Sequence, residues 1–341
     1  MNPHLTPQRP SRLDAWQRTT LLHLLLGCEQ SCRSKAVTLL LSGRLKPVLE
    51  SANRPDALLT RSLGLGAWDS GNFEEAASSL YLSTELFAGI EDISETAASR
   101  TLLGLLLSEN GAPRHAIAAL DPSIFDVDRR RSPWLAVFGL LSLALAHARL
   151  DDATTALRNR HAASLLYGNL DAPEDLLRVH WLEARIGAAL GAPRAEDDFL
   201  RLIERLLQSD QTAAAFLAGL DLARFLAETV RLEQLPGALA ILDQGSASRE
   251  DTRYYVGRIR DLALLSPAEA ANEAAELASR FPASLRFDFL RSTAETAATD
   301  SIRRPPLRFP NTPAGRMLRR ITDRKEPLRD LLESLGFGQN D

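Results

Sequence analysis

The chain has 341 residues, 45% hydrophobic and 25% charged, with a formal net charge of −4. This is a globular composition, which excludes wholesale disorder and a collagen-like fibre. The mild acidity gives no global reason to bind nucleic acid or an anionic membrane.

Leu (63) and Ala (49) far outnumber Ile (10) and Val (7). Leu and Ala favour helix, whereas β-branched residues favour strand, so the chain is expected to be all-α. Three regions follow in order: a helical segment over 1–54, a repeat region over 55–299, and a basic extension over 300–341.

The N-terminal stretch MNPHLTPQRPSRLDAW is polar and Pro-rich, unlike a secretory leader. The longest apolar stretch, Trp134 to Ala146, is shorter than the roughly 18 residues a membrane span requires. A cytoplasmic protein without membrane contact is the expectation. The two cysteines belong to one metal-like spacing, His23-x4-Cys28-x3-Cys32. Imidazole and thiolate suit tetrahedral zinc, but a closed site needs a fourth ligand, and His4 is the nearest upstream candidate. The other reading is that His23, Cys28 and Cys32 pack within a helical hairpin, and a reversible Cys28–Cys32 disulfide is a third.

Two segments then repeat: LGLGAWDSGNFEEAASSL from Leu63 and LGLLLSENGAPRHAIAAL from Leu103. Gly64, Gly71, Ala76 and Leu80 each recur 40 residues later, at Gly104, Gly111, Ala116 and Leu120. The turn Gly111-Ala-Pro-Arg114 returns as Gly191-Ala-Pro-Arg194, 80 residues on, and Ala153 is read as the equivalent of Ala116 between them. Small residues let two antiparallel helices approach closely, and the turn glycine takes a conformation that Cβ disfavours. Hairpins with one unburied apolar face stack, so a right-handed α-solenoid is expected. Ser132-Pro133 and Ser266-Pro-Ala-Glu269 read as helix starts.

On these residues the chain resembles tetratricopeptide-repeat proteins. The resemblance runs over about residues 55–282. Gly64, Ala76, Gly104, Ala116 and Ala184 match the family's small positions, whereas Leu141 and Glu196 depart from them. The resemblance implies a non-catalytic scaffold that binds a partner's peptide or helix on its concave face. From helix phase, Thr60, Trp68, Arg100 and Leu107 are the expected contacts. The His23-Cys28-Cys32 spacing resembles the zinc motif of bacterial anti-sigma factors, although three residues rather than two separate the cysteines. That likeness implies an alternative, a bacterial transcription-associated regulator with the solenoid as its sensor.

Between Ile302 and Lys325 there are eight basic residues and one acid, with a Pro-rich linker at the start. Arg316, Arg319 and Arg320 share a helix face there and are the candidate contacts to an acidic partner or to nucleic-acid phosphates; a solvated linker, or docking on the protein's own acidic surface, is the other reading. Leu328, Leu331, Leu332 and Leu335 mark a terminal amphipathic helix. No nucleophile elbow, His-Glu-x-x-His or phosphate-loop motif occurs, and Gly64-Leu-Gly66 falls inside a predicted helix rather than after a strand. No enzyme activity and no cofactor beyond the zinc option are expected.

Overall fold

The computed structural model describes residues 54–170, 173–246, 250–282 and 285–287. His23, Cys28, Cys32, Arg316, Arg319, Arg320 and the terminal Leu stripe lie outside them. Among the described residues there are twelve α-helices and no strand. They are α1 (Arg54–Asp69), α2 (Phe73–Gly89), α3 (Ile93–Glu109), α4 (Pro113–Leu120), α5 (Pro133–Ala148), α6 (Ala153–Ser164), α7 (Pro173–Ala189), α8 (Ala195–Gln208), α9 (Thr212–Glu228), α10 (Leu235–Ser246), α11 (Glu250–Leu262) and α12 (Pro267–Ser279). No described helix is long and apolar enough to cross a membrane.

Most helices pack on their sequence neighbour, and α3, α5, α7 and α9 also pack one on the next. α5 is apolar nearly throughout and is covered by α3, α4, α6 and α7. α7 divides its side chains between two cores. Val179, Leu182 and Ile186 join the core of α1–α6, whereas Trp181 and Ala184 join that of α8–α12. The last described helix, α12, packs back on α9.

The turns explain the period. Residues with left-handed φ stand at Gly71, Glu91, Gly111, Asp151, Gly191, Asp210 and Val230. Successive steps along this series are 20, 20, 40, 40, 19 and 20 residues. At each, the next residue's N–H bonds a carbonyl five positions back, as in Asp92 to Phe87 (3.1 Å), Ala112 to Leu107 (2.9 Å) and Arg231 to Leu226 (2.7 Å). This is the Schellman closure, which satisfies helix-end carbonyls and reverses the chain. Helix starts are capped as well: Asn72, Asp92 and Asp152 side chains accept from the N–H three residues on, and Ser266 with Glu269 forms a full capping box.

The small positions do what the repeat requires. A Cβ on Gly104 would lie 2.4 Å from Leu120 Cγ, and one on Gly64 would lie 3.0 Å from Leu80 Cγ. Both glycines hold a leucine 16 residues downstream, so the two hairpins close alike. One expectation changes. Ala153 is exposed at the start of α6, whereas Ala156, 40 residues beyond Ala116, is fully buried. The third hairpin therefore keeps the 40-residue register, and Ala144, not Leu141, stands 40 residues beyond Gly104. On α5 the tightest glycine contact is instead with the preceding hairpin, at Gly139, where a Cβ would meet Ile124 Cδ1 at 2.2 Å.

Candidate functional site

Alternate helices deliver charged and aromatic side chains to one place. Glu109 is the last residue of α3, and its side chain is 8% exposed. Its Oε1 accepts from Arg185 Nη1 of α7, and its Oε2 accepts from Arg286 Nη1 at 2.7 Å. Asp221 of α9 accepts from Trp181 Nε1 at 2.8 Å. It also lies 3.7 Å from Arg185 Nε and 3.9 Å from Arg286 Nη2. Arg149, just past α5, donates to the Ser108 carbonyl at 2.7 Å. Two carboxylates thus face three guanidinium groups in a largely desolvated place.

Helix position makes this costly for Glu109. A carboxylate at a helix C-terminus opposes the macrodipole. Burial alone would raise its pKa, but Arg185 and Arg286 outweigh burial and hold it at about 2. Burial lowers Arg149 to about 10, helped by neighbouring Arg185 and opposed by Glu109. Both groups therefore carry full charge at neutral pH. Such a carboxylate is a poor proton acceptor and a strong, fixed hydrogen-bond acceptor.

Two cavities adjoin these groups. One, of about 220 Å³, is lined by Trp68, Glu109, Arg185, Asp221, Arg286 and Phe287 among others. The second, of about 400 Å³, is lined by Arg149, Phe199, Arg224 and Phe225 among others. Gly111, Arg185, Asp221 and Arg224 border both. Among the described residues no cluster of three His, Cys, Asp or Glu side chains is arranged to hold a metal.

Of the four contacts expected from helix phase, only Trp68 reaches this place. Its ring is 1% exposed and packs on Phe287 with centroids 5.6 Å apart. Thr60 is buried in α1, and Leu107 packs half-buried on the first core. Arg100 lies on the α2 side of α3, close enough to Tyr81 to oppose the rise that burial gives its phenol. Glu109, Arg149, Arg185, Asp221 and Arg286 were not singled out from the sequence. Their pairs span 76 residues for Arg185–Glu109 and 177 for Arg286–Glu109, so no local spacing announces them. Trp181 belongs to the second core and is 3% exposed, and its indole N–H and ring face also serve this cluster.

In comparison with known proteins, no family model, no curated protein and no solved structure matches the chain.

Proposed function

We propose that the protein is a non-catalytic interaction protein. It is read as a tetratricopeptide-like solenoid whose alternate helices α1, α3, α5, α7 and α9 form the face that receives a partner's peptide. One observation carries this reading. Trp68, Glu109, Phe138, Arg185 and Asp221 come from those five helices and surround a single short segment, 285–287. Peptide recognition needs this mixture of apolar pockets for anchors and fixed polar groups for orientation. The charge state of Glu109 fits binding better than proton transfer, because a base held near pKa 2 has little affinity for a proton at neutral pH.

The test is panning of a multivalent random-peptide display library on the full chain, where avidity brings weak binders into range. Enriched peptides are expected to lose at least tenfold in affinity for Asp221→Asn or Arg149→Ala chains that still melt cooperatively. Peptides that bind all three chains equally, or the absence of enrichment, overturn the reading.

A further inference from the structure

The proposed peptide face is already filled, and the chain itself fills it. Arg286 and Phe287 lie seven and eight residues beyond the end of α12. Arg286 bonds Glu109, approaches Asp221, and places its guanidinium 5.4 Å from the Trp181 ring centroid. Phe287 is 2% exposed, with Trp68 at 5.6 Å and the edge of Phe138 at 6.1 Å between centroids. These are the contacts of a ligand: a cation read by two carboxylates and an aromatic face, and a neighbouring ring in an apolar pocket. A core residue needs only the second.

We propose that segment 285–287 is a resident, intramolecular ligand of this face, and that the partner peptide displaces it by presenting its own arginine followed by an aromatic residue. The inference rests on the peptide-binding reading above and specifies its ligand and its regulation. Tethering sets the competition. A segment held on so short a leash acts at about millimolar effective concentration, so a partner's apparent affinity falls by the fraction of time the face is closed. Neutral Glu109 would remove the cation's main acceptor, and a partner without an arginine would leave Glu109 and Asp221 with only the protein's own Arg185 and, further off, Arg149.

The test uses the full chain, with a fluorescein-labelled peptide of the chain's own residues 281–290 as probe and anisotropy as readout. Wild type is expected to bind the probe weakly. Arg286→Gln, which leaves Phe287 in its pocket, is expected to bind about tenfold tighter. Arg286→Gln combined with Phe287→Ala is expected to bind about a hundredfold tighter. Thermal melting monitors folding, and Arg286→Gln alone decides the matter should the double variant unfold. Adding Glu109→Gln to the opened chain is expected to weaken the probe at least tenfold. If the opened chains bind the probe no tighter than wild type while the library peptides still bind at Asp221 and Arg149, self-occupancy is overturned and peptide binding stands. If the library experiment fails as well and the probe binds no variant, both fall.

Discussion

The two ends of α3 use the same parts for different ends. At each end one buried glutamate gathers arginines. Glu95, in the first turn, accepts from Arg61 at 2.7 Å, from Arg54 at 2.9 Å and from Arg131. Glu109, in the last turn, accepts from Arg185 and Arg286. The macrodipole favours Glu95 and opposes Glu109. Glu95 draws its partners from α1 and from the segment just before α5, elements that already touch α3 or its neighbours. Glu109 draws its partners from α7 and from beyond α12, and cavities adjoin it. The first cluster is explained by the fold it ties together. The second stands where the fold alone gives no reason for an acid, and this supports the reading of that end as a binding face.

Removing each acid gives the largest test of this contrast. Glu95→Ala leaves Arg61, with a 12% exposed side chain, without its carboxylate, with the Phe87 ring 5.0 Å away. Stranding a buried charge costs about 3–5 kcal/mol. Glu109→Ala leaves Asp221 within 4 Å of both Arg185 and Arg286, so a smaller loss, about 1–3 kcal/mol, is expected. Urea denaturation of the two variants measures both. An equal or reversed order would mean that Asp221 does not stand in for Glu109, and the two ends would then be structurally alike.

Acid sharpens the contrast through the Glu109 end. Its folded pKa, about 2, lies below the ordinary 4.5, so its contribution is complete above pH 4.5 and is lost as pH falls towards 2. The share at stake is on the order of 2–3 kcal/mol. Trp68 packs on Phe287 and Trp181 bonds Asp221, so tryptophan fluorescence follows this end of α3. Wild type is expected to keep its neutral-pH emission to about pH 4 and to change below it. Glu109→Gln is expected to show the shifted emission already at neutral pH. An acid transition identical in both chains would show that Glu109 does not hold the segment.

How much of this was legible in the sequence follows the range of the interactions involved. Gly71, Gly111 and Gly191 announce the turns because glycine is the ordinary solution to left-handed φ. Glu91, Asp151, Asp210 and Val230 take the same conformation without that signal, so the 20-residue step was hidden and Ala153 was placed three residues out of register. All-helical structure and the close approaches at Gly64 and Gly104 are local and were readable. The Glu109 face was not, because its groups meet only after several hairpins have stacked. Trp68 is the one residue expected from helix phase that lies beside this place. Its neighbour Phe287 was not found, because no periodicity reaches from α1 past α12.

Salt separates the two clusters by a smaller amount. Arg54 and Arg131 are 37% and 29% exposed at the Glu95 end, against 8% and 14% for Arg185 and Arg286 at the Glu109 end. Screening weakens exposed pairs and spares buried ones. Raising salt from 0.05 to 0.5 M, values chosen to shorten the Debye length about threefold, is expected to reduce the cost of Glu95→Ala by under about 1 kcal/mol. The cost of Glu109→Ala is expected to stay nearly constant, as read by denaturation at both salts.

The turns flanking α3 give the smallest effect and the cleanest one. Before α3, Glu91 is held at φ +58°, and its N–H bonds the Ala88 carbonyl at 3.1 Å. After α3, Gly111 is held at φ +71°, and its N–H bonds the Ser108 carbonyl at 3.3 Å. The backbone is the same at both ends, and only the residue differs. A Cβ on Gly111 would meet nothing within 4 Å, so Gly111→Ala tests backbone strain without a packing change. It is expected to cost about 1 kcal/mol. Glu91→Gly relieves the matching strain at an exposed position and is expected to stabilise by about 0.5–1 kcal/mol. Opposite signs from thermal melting would confirm that both ends of α3 close by one turn geometry, leaving the acids as the difference between them. Matching signs would mean that the side chain of Glu91 or the cavity beside Gly111 contributes to the turn, and the contrast between the ends would then begin in the backbone.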